Sequence, residues 1–144
     1  KMKFVFGGSF QGKLDFVAEQ LVQEGKIPQK AQISALTAEG EICAWEDFFA
    51  KPVIHHLEQA IWRGMAEEQD PYAFVEELLH QNPDVWIIMD EVGSGIVPLD
   101  ADIRRWRETV GRISCLLSQE ATDVYRVLCG IPRCLKKEGV YVSN

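Results

Sequence analysis

The chain has no Cys-x-x-Cys pair, no apolar run approaching the about 18 residues that a membrane span needs, and no surplus of positive charge. Each absence closes a class. The four cysteines, Cys43, Cys115, Cys129 and Cys134, stand apart, and even the nearest two are five positions from one another. That spacing does not suit a structural zinc site, so they read as buried, reduced thiols. The first apolar segment is short and runs straight into glycines, unlike a secretory signal. A cytoplasmic protein with no membrane span is expected. Acidic residues outnumber basic ones by 22 to 15, for a net charge of -7, whereas a nucleic-acid binder shows a basic face, so no nucleic-acid partner is expected. A nucleotide site is not excluded, because backbone amides and one lysine suffice to hold phosphates. Repeats and low-complexity stretches are also missing. At 144 residues, 47% of them hydrophobic, the chain reads as one domain over residues 1–144, with a loosely packed tail at 137–144.

What is present begins with Phe4-Val5-Phe6-Gly7-Gly8-Ser9-Phe10-Gln11-Gly12-Lys13-Leu14. This is a buried strand, a glycine loop and the start of a helix. Gly7, Gly12 and Lys13 fit the phosphate-loop pattern Gly-x-x-x-x-Gly-Lys-Ser/Thr at every position but the last. In such a loop the amides cradle phosphates, the lysine reaches the outer ones and the closing hydroxyl binds Mg²⁺. Residues 7–14 are therefore the candidate nucleotide-binding loop and Lys13 a candidate catalytic residue. Leu14 replaces the hydroxyl, so the Mg²⁺ site is weakened and would lean on Ser9 or water.

Further along, the pattern predicts a helix over 15–24, a strand over 31–37, a short helix over 45–50 and a helix from Pro52 to about residue 65. Val53, Ile54, Leu57, Ile61 and Trp62 recur there at helical spacing. Asp70-Pro71 opens another helix and Asn82-Pro83 closes it. Residues 85–89, Val-Trp-Ile-Ile-Met, form the strongest strand, apolar throughout as in a sheet covered on both faces. A glycine loop, a helix over 102–118 and a last strand over 124–129 follow, ended by Gly130-Ile131-Pro132. Strands alternating with helices predict an α/β fold: a parallel sheet flanked by helices, of the P-loop NTPase type.

Asp90 and Glu91 close the strongest strand and would open onto the edge that carries the glycine loop. They are candidate metal ligands, or else caps for loop amides. Arg104, Arg107 and Arg112 on the next helix are candidates for clamping phosphate or substrate, or else form a solvated face. Of the three histidines, His55 and His56 fall on a helix turn in this reading, facing opposite sides, so at most one would reach the site.

The run Glu91-Val92-Gly93-x-Gly95-Ile96-Val97-Pro98, the helix with Arg104, Arg107, Gly111 and Arg112, and Gly130-Ile131-Pro132 with Lys136 resemble one family. It is the bifunctional adenosylcobinamide kinase / adenosylcobinamide-phosphate guanylyltransferase family of cobalamin (vitamin B12) assembly. Gly7-Gly8 with Gly12-Lys13 is similar to that family's opening loop. The resemblance covers residues 4–24 and 85–136. It implies phosphoryl transfer from GTP or ATP to adenosylcobinamide, a guanylylated histidine for the second reaction, and a homotrimer. The chain departs from the family's loop ending, Arg-Ser-Gly-Lys-Ser, at Phe10, Gln11 and Leu14. The family's histidine segment is not recognisable, and His56 (or His55) is the only substitute. The reading is a nucleotide-binding, kinase-like protein with guanylyl transfer in doubt; the alternative is a non-catalytic nucleotide-binding paralogue or partner in the same pathway.

Overall fold

A computed structural model describes residues 1–92 and 99–143. The EVG-x-GIVP run lies outside the described residues from position 93 to 98. Seven strands form one sheet in the order β2-β3-β4-β1-β5-β6-β7. They are β1 (Lys3–Gly7), β2 (Thr37–Glu39), β3 (Val53–His55), β4 (Trp86–Asp90), β5 (Asp123–Leu128), β6 (Ile131–Lys137) and β7 (Val140–Tyr141). The first five pair in parallel and the last two antiparallel. The helices are α1 (Lys13–Gln23), α2 (Leu57–Ala66), α3 (Pro71–Gln81) and α4 (Ala101–Glu120), with 3₁₀ segments at Lys30–Leu36 and Trp45–Phe49. The α/β class with a mostly parallel, helix-flanked sheet is as expected. No helix among the described residues is long and apolar enough to cross a membrane.

Strand residues alternate between two cores, because successive side chains leave a strand on opposite faces. Phe4, Ile54, Ile87, Met89 and Val124 pack with Leu57 and Ile61 of α2, Val75 and Leu78 of α3, and Ile113 and Leu117 of α4. Val5, Val53, Trp86, Ile88, Tyr125 and Val127 pack with Phe16, Val17 and Leu21 of α1 and with Ile33. With both faces covered, β4 must be apolar along its length. Two helix starts are capped by aspartates, the first of them at the Asp70-Pro71 start expected from the sequence. Asp70 accepts the amides of Tyr72 and Ala73, and Asp100 those of Asp102 and Ile103.

Several expectations are corrected. The strand placed at 31–37 is mostly the 3₁₀ segment, held at its start by reciprocal Gln29–Gln32 bonds and at its end by the Thr37 hydroxyl on the Ile33 carbonyl; only Thr37–Glu39 is extended. The helix expected from Pro52 begins at Leu57 instead. Val53 and Ile54 are fully buried between two parallel neighbours, Thr37–Ala38 and Trp86–Ile87, and sheet pairing wins over helical spacing. Residues 124–129 are not the last strand. Left-handed turns at Cys129–Gly130 and Glu138–Gly139 build an antiparallel hairpin onto β5. Pro132 is tolerated because β7 pairs only with the far end of β6, leaving Pro132 effectively at an edge. Lys136 is buried and donates to the Ser118 and Gln119 carbonyls at the end of α4, while residues 140–143 are exposed. All four cysteines are free thiols, but Cys115 and Cys129 are exposed and not buried.

Candidate functional site

Four parallel strands end in one row, and each ends on a residue of the site. β1 ends at Gly7, β4 at Asp90, β3 at His55 and β2 at Glu39. Register fixes their neighbours: Gly7 lies opposite Asp90, and Glu39 opposite His55. The β3–β4 ladder stops at Ile54–Ile87, three positions before β4 ends at Asp90. Beyond that point the strands separate, and a pocket of about 240 Å³ opens between them. It is lined on one side by residues 9–15 and on the other by His55, His56 and Asp90.

The glycine loop is built by close approach. A Cβ on Gly7 would stand 2.3 Å from the Val127 carbonyl oxygen, so only glycine lets β1 leave the sheet there. Gly12 takes φ +90° and its carbonyl accepts the Phe16 amide, starting α1. Gln11 ties the loop to the β5–β6 turn, through Gly130 N–H on its carbonyl at 2.9 Å and Cys129 N–H on its side chain. Phe10 is in the left-handed region (φ 57°), with its ring fully exposed at the pocket rim.

Lys13 is buried at the base of the loop. Its ammonium donates to the Gly8 carbonyl at 2.6 Å and stands 2.8 Å from Asp90 Oδ1. The Ser9 hydroxyl donates to Asp90 Oδ2 at 2.9 Å. Burial works against ionisation of Asp90, but Lys13 and Ser9 outweigh it and hold the carboxyl below its usual range. Glu58, in the first turn of α2, is almost fully buried and accepts the Asp90 amide at 2.9 Å, where a longer β3 would have paired. Burial pushes its carboxyl up, with the Asp90 charge adding to the effect.

The two histidines of the opposite wall share Glu39. His55 Nδ1 bonds one of its carboxylate oxygens, and His56 Nδ1 lies 3.1 Å from the other. The two rings are 3.8 Å apart between centroids. His56 Nε2 faces Asp90 Oδ2 at 3.7 Å. Burial holds His55 below the usual histidine range, against the pull of Glu39. The helix-turn reading of this pair, with one ring facing away, is thus corrected: both rings line the pocket.

The other sequence candidates lie elsewhere. Glu91 does not line the pocket; it pairs with Arg126 through Nε at 2.8 Å and Nη2 at 3.2 Å, and its amide donates to the Gly7 carbonyl. Arg104, Arg107 and Arg112 stand on α4, and none lines the pocket; Arg104 and Arg112 are exposed and Arg107 is half-buried. Gly8 sits between strand and loop, and Leu14 lines the pocket while packing partly against the α1 core. Glu39 and Glu58 escaped the sequence reading. The one local signal for Glu39 is an acid at a strand end ahead of a glycine. Glu58 directly follows the histidine pair in a helix's first turn.

A glycine loop between the first strand and first helix of a mostly parallel, helix-flanked sheet, with its lysine against an acid at a neighbouring strand end, is an α/β arrangement consistent with a P-loop-like fold. A model of the cobinamide kinase / cobinamide phosphate guanyltransferase family matches residues 53–135, more than half the chain, and the chain belongs to that family. The family acts on a nucleoside triphosphate and on cobinamide substrates in cobalamin biosynthesis. The match contains His55, His56, Glu58, Asp90 and α4. It runs through 53–84, which the sequence resemblance did not cover, and does not include the glycine loop. A comparison with curated proteins found no match.

Proposed function

We propose that the chain binds ATP or GTP phosphates at residues 7–14 and transfers the terminal phosphoryl group to the alcohol of adenosylcobinamide. The observation that carries this reading is the Lys13–Asp90–Ser9 cluster at the mouth of the glycine loop. Phosphoryl transfer requires positioning and charge neutralisation more than covalent chemistry. The loop amides and the N-terminus of α1 hold the β-phosphate. Lys13 leaves the Gly8 carbonyl to reach the transferring group. The alcohol oxygen forms its bond to phosphorus as the bond to the β-bridging oxygen breaks, the hydroxyl proton passes to water, and the nucleoside diphosphate departs.

The donor set suits Mg²⁺ in reduced form. Asp90 and Ser9 supply a carboxylate and a hydroxyl 2.9 Å apart, Leu14 supplies nothing, and Glu91 is engaged by Arg126. Mg²⁺ characteristically takes one or two carboxylates and completes its shell with phosphate and water. When bound, it would neutralise charge on the outer phosphates. His56 reaches the pocket through Nε2. Both its ring nitrogens face carboxylates, which favours a phosphate-contacting donor over the free nucleophile that guanylyl transfer needs. The proposal is therefore kinase chemistry, in a cytoplasmic homotrimer measurable by light scattering.

Leu14 favours a second reading, nucleotide binding without turnover, because losing a metal ligand costs transition-state stabilisation more than ground-state affinity. Calorimetric titration of ATP and GTP, with and without Mg²⁺, separates the two. Binding that depends on Lys13 and tightens with Mg²⁺, followed by phosphorylation of cobinamide, supports the kinase. Binding indifferent to Mg²⁺, with no product, supports the second reading, and absence of binding overturns both.

A further inference from the structure

The histidine wall is built at a cost that hydrogen bonding alone does not explain. Consecutive residues of a strand point to opposite faces, so His55 and His56 should diverge. They converge because His56 leaves β3 in the left-handed region, φ 58° and ψ 53°, a conformation that strains a residue with a Cβ. The turn is locked by packing. Gly40 donates its amide to the His55 carbonyl at 2.7 Å, and a Cβ on Gly40 would lie 2.0 Å from the His56 carbonyl oxygen. Two imidazoles thus present the same atom, Nδ1, to the two oxygens of a single carboxylate.

We infer that Glu39, His55 and His56 form a binding site for a divalent transition-metal ion of the Zn²⁺ class, set in the pocket wall opposite the phosphate loop. The three ligand atoms lie within 4.8 Å of one another. Ligands of a four-coordinate ion with bonds of about 2.1 Å stand about 3.4 Å apart, so modest rotation of the side chains suffices. Two imidazoles and one carboxylate leave one or more positions open toward the pocket, the pattern of a reactive site and not of a closed structural one. The donor set also chooses the metal. Mg²⁺ prefers oxygen alone, and nitrogen-rich sites select Zn²⁺ and its neighbours. His56 supplies the outer support that metal-bound histidines usually have: with Nδ1 on the ion, Nε2–H points at Asp90. Asp90 is also the partner of Lys13, so the ion would be joined to the phosphate side through one carboxylate. An ion here would fix the His56 ring and place positive charge across the pocket from Lys13.

The test needs no nucleotide, so its outcome is separate from that of the kinase reading. The full chain is stripped with chelator, dialysed, and titrated calorimetrically with Zn²⁺ and separately with Mg²⁺. One Zn²⁺ per chain is expected, and no comparable Mg²⁺ binding. Glu39→Gln and His55→Gln should each weaken Zn²⁺ by more than about 100-fold, and Asp90→Asn, which removes the partner of His56 Nε2 but none of the three ligands, by about tenfold. Far-UV circular dichroism checks that each variant is folded. If a variant fails to fold, Co²⁺ loading of the wild-type chain decides, because nitrogen and oxygen ligands give d–d bands without the thiolate charge-transfer absorption of a cysteine site. No Zn²⁺ binding, binding unchanged in both ligand variants, binding lost on alkylating the cysteines, or a thiolate band would each overturn the inference.

Discussion

The two walls of the pocket are made by different means. The glycine-loop wall is contiguous: residues 7–14 carry its glycines and its lysine in one short run, held against β5 and the β5–β6 turn. The histidine wall is assembled. Glu39 comes from one strand, His55 and His56 from the next, and parallel register brings them together. A contiguous wall keeps its residues together if a distant strand slips. An assembled wall does not, since a shift of one residue would send Glu39 to the other face. Asp90 joins the two, with Lys13 on one side and His56 on the other.

The sharpest break of this comparison is nucleotide affinity. Lys13→Ala should weaken ATP or GTP by at least 100-fold, about 2.7 kcal/mol, whereas Glu39→Gln should cost less than tenfold. Isothermal titration measures both. Equal losses would mean that the walls act as one unit and that the contiguous loop does not by itself hold the phosphates.

Next in size are two glycines, one behind each wall. Gly7→Ala drives a Cβ against the Val127 carbonyl, and Gly40→Ala drives one against the His56 carbonyl. In each case the obstruction is backbone, so relief requires strands to move. Each substitution should cost about 2 kcal/mol, or roughly 6 °C in melting temperature for a chain of this size. The losses of binding should differ in kind. Gly7→Ala should impair nucleotide first and Gly40→Ala should impair Zn²⁺ first, and a matching pattern for the two variants would erase the distinction between the walls.

The same contrast explains what was legible in the sequence. The glycine loop at residues 7–14 is visible because glycine spacing and one lysine are local features. The strand at 85–89 and the start of α3 were equally readable from an apolar run and from Asp70-Pro71. The histidine wall was not. Val53, Ile54, Leu57 and Ile61 satisfy a helical period and also a strand followed by a helix, and a three-residue strand is too short to separate the two. Only pairing with Thr37–Ala38 and Trp86–Ile87 decides it. Glu39 had no local cue, since its role exists only in register with His55. The β6–β7 hairpin was hidden in the same way. Lys136, Lys137 and Glu138 look like a solvated tail until Asp123 and the end of α4 are placed beside them.

A smaller effect sharpens the description of the glycine-loop wall. Leu14→Ser restores the hydroxyl that the loop lacks beside Asp90 and Ser9. Mg²⁺ should then tighten ATP or GTP by about tenfold more than it does in the wild type, since one added oxygen ligand is at stake. Titration with and without Mg²⁺ reads this directly. If the metal effect is unchanged, position 14 does not face the metal, and the weakness of the site lies with Ser9 and Asp90.

The smallest effect lies at the opposite edge of the sheet, where neither wall should notice it. Asp123 begins β5, is buried, and accepts the Glu138 amide at 3.0 Å and the Lys137 ammonium at 3.1 Å. Burial alone would raise its pKa, but those two donors outweigh it and the carboxyl is held below its usual range. A group depressed in the folded state contributes its stability above the unfolded carboxylate pKa of about 3.9, and loses it as the pH falls through the folded value. Asp123→Asn should therefore melt lower than wild type at neutral pH by about 1 kcal/mol, Lys137 being half-exposed. The gap should close as the pH drops below the carboxylate range, where wild-type Asp123 is itself neutral. Thermal melts across that range measure it, with nucleotide and Zn²⁺ affinity at neutral pH as the control. A gap that stays constant with pH would assign the loss to packing, and a gap accompanied by weakened binding would mean that the hairpin edge and the pocket edge of the sheet are coupled.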